Sequence, residues 1–325
     1  MFRKGIKILH ARFGLVSNNE DLLPKLPLKI FITSLLTDYH KVEEIEFADD
    51  LDCYFLLLDN TSYPDSIQLS EKNVIVSGSL KYLTENASDL RFSIFGNEGL
   101  LFRYVLFILE KNYNTYSFHA SSLYDEKKKR MYIIAGGAGA GKSVYLFTGL
   151  MLGFKLFSTE MTHFKIDGQE LIFYKGSLID NVRIGNLKYN FPDFMKLIDI
   201  SADPETNDEW GVKFPLDLSM FQTESDKITN PELIIIFPRI EEGRKSSLKI
   251  DINDRKKIIK NIYDNVSSKI GETILLYDKI PVCGIDNIKL AEKRYESINK
   301  FTDLGRICRV INVLSNVEEC WKDII

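Results

Sequence analysis

The residues best suited to chemistry lie in "GGAGAGKS", positions 136–143. Gly136, Gly141, Lys142 and Ser143 satisfy G-x-x-x-x-G-K-[ST]. The motif stands directly after the apolar run "MYIIA" and directly before a helix-like segment. Glycines in such a loop let successive backbone N–H groups turn inward around an anion without Cβ clashes. The helix start that follows adds unpaired donors and a favourable dipole. Gly136, Gly137, Ala138, Gly139, Ala140, Gly141, Lys142, Ser143 and Val144 are therefore the expected nucleotide contacts, with ATP as the ligand. Lys142 is expected on the β- and γ-phosphates and the Ser143 hydroxyl on Mg²⁺.

A phosphate loop alone does not choose among ATPases, GTPases and kinases. Most such proteins add an acid at the end of a second buried strand. The long apolar run "ELIIIF" ends in Pro238-Arg239, with no carboxylate at its tip. The other candidate, "KLFSTE", places Glu160 eighteen residues after Lys142. Glu160 is thus expected as metal ligand or base, sharing the metal with Ser143. No N-K-x-D guanine reader occurs in the chain. His119, in "SFHASSLY", is a candidate to orient an acceptor or touch the terminal phosphate, set against a plain His packed under a sheet. Arg239 is a candidate to neutralise transferred charge, set against a surface salt bridge. Arg183, in "DNVRIG", is a candidate for an acceptor pocket; Asp180 is a weaker one, and His163 reads as structural.

The elements that must position these residues divide the chain near residue 112. Residues 1–112 read as a smaller mixed α/β domain. "IKILHARFGLV", "CYFLLLD" and "VIVSG" are strand-like, and 97–112 is a helix with apolar residues at helical spacing and Asn97 placed to cap it. Residues 113–325 read as the catalytic domain. "SFHASSLY" and "RMYIIAG" form a strand pair around the charged tip "EKKKR", and "SVYLFTGLMLG" is a helix apolar on nearly every side. "KLFS" is a short buried strand, and "MTHFKI-DG-QELIFY" a hairpin turning at Asp-Gly. "ELIIIF" is a fully buried strand and 253–269 an amphipathic helix with Asn253 near its cap. "CRVINVL" is a strand, followed by a short helix "NVEECWKDI".

From Ser117 to Glu160 the chain resembles the catalytic core of HPr kinase/phosphorylase and related HPr-kinase-like proteins. "SFHASSLY…IIAGGAGAGKSVYLFTGLMLGFKLFSTE" follows that core's order of His-bearing strand, second strand, phosphate loop, helix, Gly and short strand ending in two acids. The segment from Gly136 to Glu160 matches without a gap, and His119 falls at the family's strand histidine. "GQELIFYKGSLIDNVRIGN" and "ELIIIFPRIE" are similar to later segments of HPr-kinase-like proteins. The resemblance implies an α/β P-loop core related to that of phosphoenolpyruvate carboxykinase, with the acidic pair serving as base and metal contact. The first acid falls on Thr159 and the second on Glu160, so a single carboxylate remains where the family has two. The segment used by HPr kinases for the phosphorylase reaction is missing, which argues against HPr itself as substrate.

Composition narrows the partners. Net charge is −4, and the acid surplus lies in the first third, much of it in "VEEIEFADDLD". No basic face suited to a phosphate backbone stands out, so nucleic acid is not expected. No apolar run is long enough for a membrane helix, and the charge-broken N-terminus does not read as a secretory leader; a cytoplasmic protein is expected. Four scattered Cys and four scattered His (His10, His40, His119, His163) give no zinc-ligand spacing. The expected function is an ATP- and Mg²⁺-dependent kinase acting on a hydroxyl, either a protein or peptide serine or a small polyol or sugar. The acidic N-terminal domain would recognise the acceptor or build a homo-oligomer. The alternatives are a nucleotide-binding regulatory or scaffold protein that has lost transfer, and a conformational ATPase.

Overall fold

The computed structural model describes residues 1–25, 39, 41–198, 208–211, 213–241, 243–322 and 324–325. His40 lies outside them. In chain order the strands are β1 (Phe2–Ile8), β2 (Ala11–Ser17), β3 (Val42–Ile45), β4 (Cys53–Asp59), β5 (Ser66–Leu69) and β6 (Asn73–Gly78), followed by helices α1 (Leu80–Asn86) and α2 (Leu100–Tyr113). Next come β7 (Thr115–Asp125), β8 (Arg130–Ala135), α3 (Lys142–Met151), β9 (Lys155–Ser158), β10 (Met161–Asp167), β11 (Glu170–Tyr174), β12 (Ile179–Arg183), α4 (Pro192–Leu197), β13 (Lys213–Asp217) and β14 (Lys227–Thr229). The remainder is β15 (Glu232–Ile240), β16 (Leu248–Asp251), α5 (Arg255–Gly271), β17 (Ile274–Leu276), β18 (Ile280–Val282), α6 (Ile288–Asp303) and β19 (Ile307–Ser315). This is a mixed α/β chain.

It forms two compact units. One comprises Met1–Tyr116 with Ser267–Glu292, and the other Ser117–Val266 with Lys293–Ile325. Residues 267–292 thus join the N-terminal unit, whereas the sequence assigns them to the domain after residue 112.

In the first unit a six-stranded sheet runs β3-β1-β2-β4-β6-β5. The stretch 6–16, which reads as one strand, is a hairpin. Ile8 pairs with Ala11, and Leu9 takes a φ of 53° in the turn. The inward residues explain it: Ile6 and Ile8, then Ala11, Phe13 and Leu15, are all fully buried. Their parity changes between 8 and 11, which one strand cannot accommodate. Helix α2 is buried from Leu100 through Glu110, with Tyr104 edge-on to Phe55 of β4. Its N-cap is Gly99 without a side-chain bond; Asn97 is buried and does not cap it.

A fully buried helix needs its polar members satisfied. The Arg103 side chain, 1% exposed, donates to the backbone oxygens of Lys269 (2.6 Å) and Glu272 (2.8 Å) and pairs with the Glu272 carboxylate at 3.1 Å. Lys269 O belongs to the last turn of α5, where helix carbonyls lack amide partners and favour a cation. Burial lowers the Arg103 pKa, opposed by Glu272 and Glu98.

In the second unit a nine-stranded sheet runs β14-β11-β10-β7-β8-β15-β19-β16, with β9 also pairing β7. β8, β15 and β19 are mutually parallel; β7 and β16 flank them antiparallel. Continuous apolar runs such as "MYIIA" and "LIIIF" suit parallel strands covered on both faces. Strand β15 extends through Pro238 to Ile240. β8 pairs it only as far as Ile236, so Pro238 lies on a stretch bordered by β19 alone, where a missing N–H is tolerated. In the β10–β11 hairpin Gly168 and Gln169 are the central residues, with Gly168 at a φ of 61°. Asp254, rather than Asn253, accepts from Lys256 N (2.9 Å) at the start of α5. Among the described residues the segment "NVEECWKDI" contains a single 3₁₀ turn, Val317–Glu319, in place of the expected helix.

Helix α3 is packed by Tyr145, Leu146, Phe147 and Leu150 against Tyr132, Ile134, Ile234, Ile236 and Trp321. Trp321 Nε1 donates to Tyr145 O (2.9 Å), and the Tyr145 hydroxyl bonds Ser315 (2.8 Å). These bonds hold the loop's helix at its first turn.

Replacing Arg103 by Ala leaves two partly buried carbonyls without their donor, while Glu272 keeps Lys269 at 3.9 Å. The expected cost to the intact chain is about 3 kcal/mol or more in urea unfolding; a loss well under about 1 kcal/mol would show that the cluster is not what joins 267–292 to the first unit.

Candidate functional site

The loop from Gly136 to Gly141 joins the end of β8 to the start of α3. Gly141, the N-cap of α3, has a φ of 102°, and a Cβ there would lie 2.4 Å from Ile240 of β15. Only glycine meets both demands. Gly137 and Gly139 instead face open space. A bare backbone turned to open space before a helix start is what an approaching anion requires. Val144 is buried in the first turn of α3 and anchors it.

The Lys142 ammonium folds over this loop. It donates to Gly136 O (2.9 Å), lies 3.3 Å from His119 Nε2 and 4.0 Å from Glu160 Oε2. His119 comes from β7, the neighbour of β8, and its Nε2 is 3.7 Å from Glu160 Oε2. Its backbone oxygen accepts from Asn265 Nδ2 (3.0 Å). Toward Lys142 the imidazole nitrogen must accept a proton, and toward Glu160 it must donate one, so the tautomer and charge of His119 follow the partner it engages. Lys142, His119 and Glu160, three residues singled out from the sequence, thus converge at the mouth of the loop.

Thr159 does not face that mouth. It is fully buried, and its hydroxyl donates to Ser177 O (3.1 Å) and Ile179 O (2.7 Å). Ser121 of β7 in turn bonds Thr159 O. Thr159 therefore fixes the backbone immediately before Asp180, and Asp180 delivers the second carboxylate. Burial pushes the Asp180 carboxyl up to about 7, with repulsion from Glu160 adding to it and the Ser143 hydroxyl, Lys142 and Lys213 opposing it. Glu160, 20% exposed, is also penalised by burial, but His119, Lys142 and Lys213 outweigh that and hold its carboxyl well below the usual range. Two acids in one site with their titrations pushed apart mark different roles.

Asp180 is the acid that the sequence underrates. It is 2% exposed, and its Oδ2 has no hydrogen-bond partner among the described residues. The available sign was its alternation in "IDNVR", which puts Asp180 and Val182 on one face of β12; both are buried. Among the described residues no three His, Cys, Asp or Glu side chains group to hold a metal by themselves. A Mg²⁺ site does not need them, because phosphate oxygens and waters complete its shell. The orphaned Asp180 oxygen beside the Ser143 hydroxyl, with Glu160 nearby, fits such an ion.

The other candidates lie elsewhere. Arg239 is 74% exposed near the end of β15, and its ion pair there is with Glu241 at 3.6 Å. The structure does not bring it to Glu160 or His119. Arg183 is exposed on β12. His163 is fully buried, with Nδ1 2.7 Å from Ser117 Oγ, as a structural histidine would be.

No family model matches the chain, and no curated protein sequence matches it. Among solved structures it is similar to the Hpr(Ser) kinase/phosphatase from Coxiella burnetii, at 13% identity and a TM-score of 0.24, over 57% of this chain and 95% of that one. A likeness at that TM-score carries no functional inference.

Two variants test the arrangement of the acids. Thr159→Asp would set a carboxylate against two carbonyl oxygens in a dry site, and should destabilise the chain by about 2–4 kcal/mol rather than restore a second site acid. Asp180→Asn removes a group whose raised pKa costs stability as pH rises. Below about pH 4 Asp180 is protonated folded or unfolded and the variant should match wild type. Its melting-temperature advantage should grow up to about pH 7 and then level off; an advantage independent of pH would contradict the buried-acid assignment.

Proposed function

We propose that the chain is an ATP- and Mg²⁺-dependent phosphotransferase that acts on a hydroxyl. The observation behind this reading is the convergence of Lys142, His119 and Glu160 at a glycine loop whose Ser143 neighbours the buried Asp180. A carboxylate at Asp180 suits a nucleotide-bound cation, and the further carboxylate of Glu160 beside His119 is what a hydroxyl acceptor needs.

In this reading the loop's amides and the start of α3 hold the β- and γ-phosphates, and Lys142 leaves Gly136 O to reach them. Ser143 and Asp180 would hold Mg²⁺, with Glu160 within its surroundings. When bound, the ion neutralises charge on the phosphates and fixes their orientation. Ordering the ion requires Asp180 to give up its proton. Glu160 accepts a hydrogen bond from the acceptor hydroxyl and aims the oxygen at the phosphorus. A carboxylate held as low as Glu160 is a weak early base, but the loose transition state of phosphoryl transfer asks mainly for position and charge. His119 lies close enough to Glu160 to share the hydroxyl proton as the new P–O bond forms and the bond to the leaving diphosphate breaks. Arg239, exposed and paired with Glu241, takes no part in this reading.

The test measures binding and transfer separately. Lys142→Ala should lower ATP affinity at least tenfold. Glu160→Gln and Asp180→Asn should leave affinity for nucleotide without metal within about threefold, yet lower transfer by about 10²-fold or more. Asp180→Asn alone should also raise the Mg²⁺ concentration needed for half-maximal nucleotide binding. Tight ATP binding with no transfer to any hydroxyl, unaffected by Glu160→Gln, would replace this reading with that of a nucleotide-binding regulatory protein.

A further inference from the structure

The two-stranded ribbon of β12 and β13 carries Asp180 into the site, and a second feature sits at its other end. Its register places Arg183 directly opposite Lys213. Directly opposed residues of an antiparallel pair share a face, with Cβ atoms roughly 5 Å apart. Both side chains are exposed, and among the described residues neither takes part in an ion pair. Like charges opposed across strands are destabilising, and the usual remedy is an intervening carboxylate. None is present: the flanking pairs on that face are Asn181 with Pro215 and Ile179 with Asp217, the acid lying at the far end of the ribbon.

Beside this pair stands an aromatic stack. Trp210 packs on the backbone of Gly185, two residues beyond Arg183; a Cβ at Gly185 would lie 2.6 Å from the indole. Gly185 N donates to Glu209 O (2.9 Å), which fixes the Trp210 segment against it. Tyr189 stacks on Trp210 at 6.0 Å with the rings 15° apart, while Lys188 bonds Glu209 (2.8 Å) beneath. The two rings remain 59% and 51% exposed. Two exposed cations with no direct ion partner among the described residues thus stand on the ribbon that carries a site carboxylate, and a half-open aromatic stack lies beside it. Lys213 also links the two ends electrostatically, since its charge bears on both Glu160 and Asp180.

We propose that Arg183 and Lys213 form an anion clamp, with Trp210 and Tyr189 as an apolar platform, for an acceptor that already carries an anionic group on a sugar ring: a sugar phosphate. The inference rests on the phosphotransferase reading of the site. The ring's C–H face lies on the aromatic stack, the phosphate sits between guanidinium and ammonium, and a free hydroxyl reaches Glu160. The hydroxyl gives its proton to the Glu160–His119 pair and its oxygen gains the phosphoryl group, while ADP leaves. A cation pair that holds the acceptor's phosphate would also keep neutral sugars from competing.

The chain contains two Trp, and Trp210 is the exposed one while Trp321 is buried, so tryptophan quenching reports on the platform. Full-length protein holding a non-hydrolysable ATP analogue and Mg²⁺ is titrated with hexose and pentose monophosphates, with the matching free sugars, and with tripolyphosphate. At least one sugar phosphate should bind ten times more tightly than its free sugar and more tightly than tripolyphosphate. Arg183→Gln should weaken that binding at least tenfold, Arg183→Lys should restore most of it, and affinity for the ATP analogue should change less than twofold. Equal binding of sugars and sugar phosphates, binding of none, preference for tripolyphosphate, or indifference to Arg183→Gln would each overturn the clamp. None of those outcomes touches the nucleotide reading, which is judged by Lys142→Ala and by transfer to acceptors of other classes, including seryl peptides.

Discussion

Two carboxylates are held largely out of water within reach of one another's charge, and that burial is the constraint on which the chemistry of the second unit depends. Glu160 stays ionised because His119 and Lys142 stand against it; at Asp180 burial outweighs the help of Ser143, Lys142 and Lys213 and drives it toward its neutral form. The site is therefore asymmetric before any ligand arrives. One acid is a fixed negative charge, and the other takes up or releases a proton according to which cations approach. A divalent ion beside Ser143 would supply the compensation that the protein withholds from Asp180, which ties occupancy of the phosphate loop to the charge state of its floor.

The scaffold keeps these groups from relaxing apart. Each comes from a different place: Lys142 from the first turn of α3, His119 from β7, Glu160 from the two-residue turn between β9 and β10, Asp180 from β12. The strands are joined by backbone pairing and by side chains with no chemistry of their own. Thr159 bonds the carbonyls before Asp180, Ser121 bonds Thr159 O, and Thr162 bonds Ala120 O and Ser122. Trp321 and Ser315 brace Tyr145 behind the loop. Small hydroxyl side chains suit this task because they satisfy buried carbonyls without bringing in charge.

What the sequence reveals depends on how local the cause is. The phosphate loop is legible because its motif, preceding strand and following helix are contiguous, and the same holds for the short strand that ends before Glu160. His119 was legible only by resemblance, and the geometry then gave it neighbours. Asp180 was underrated because nothing near it in sequence shows that Thr159, some twenty residues away, bonds the carbonyl preceding it. Nor does an Arg in a helix such as α2 reveal that its partners lie at 269 and 272. The hairpin at Leu9 is a different case. The parity of the apolar residues recorded the turn, but without Gly or Asn at its centre the usual turn chemistry was missing.

The return of residues 267–292 to the first unit has a consequence for synthesis. When Tyr116 leaves the ribosome, α2 is complete but the carbonyls that receive the Arg103 guanidinium have yet to be made. At roughly 5–20 residues per second, the intervening stretch takes on the order of ten to thirty seconds to translate. During that interval the nascent unit must keep a cationic side chain wet inside what will become its most apolar helix. The unit that begins first is completed late, and the phosphate loop and most of its sheet are translated while the N-terminal unit still lacks its last segment.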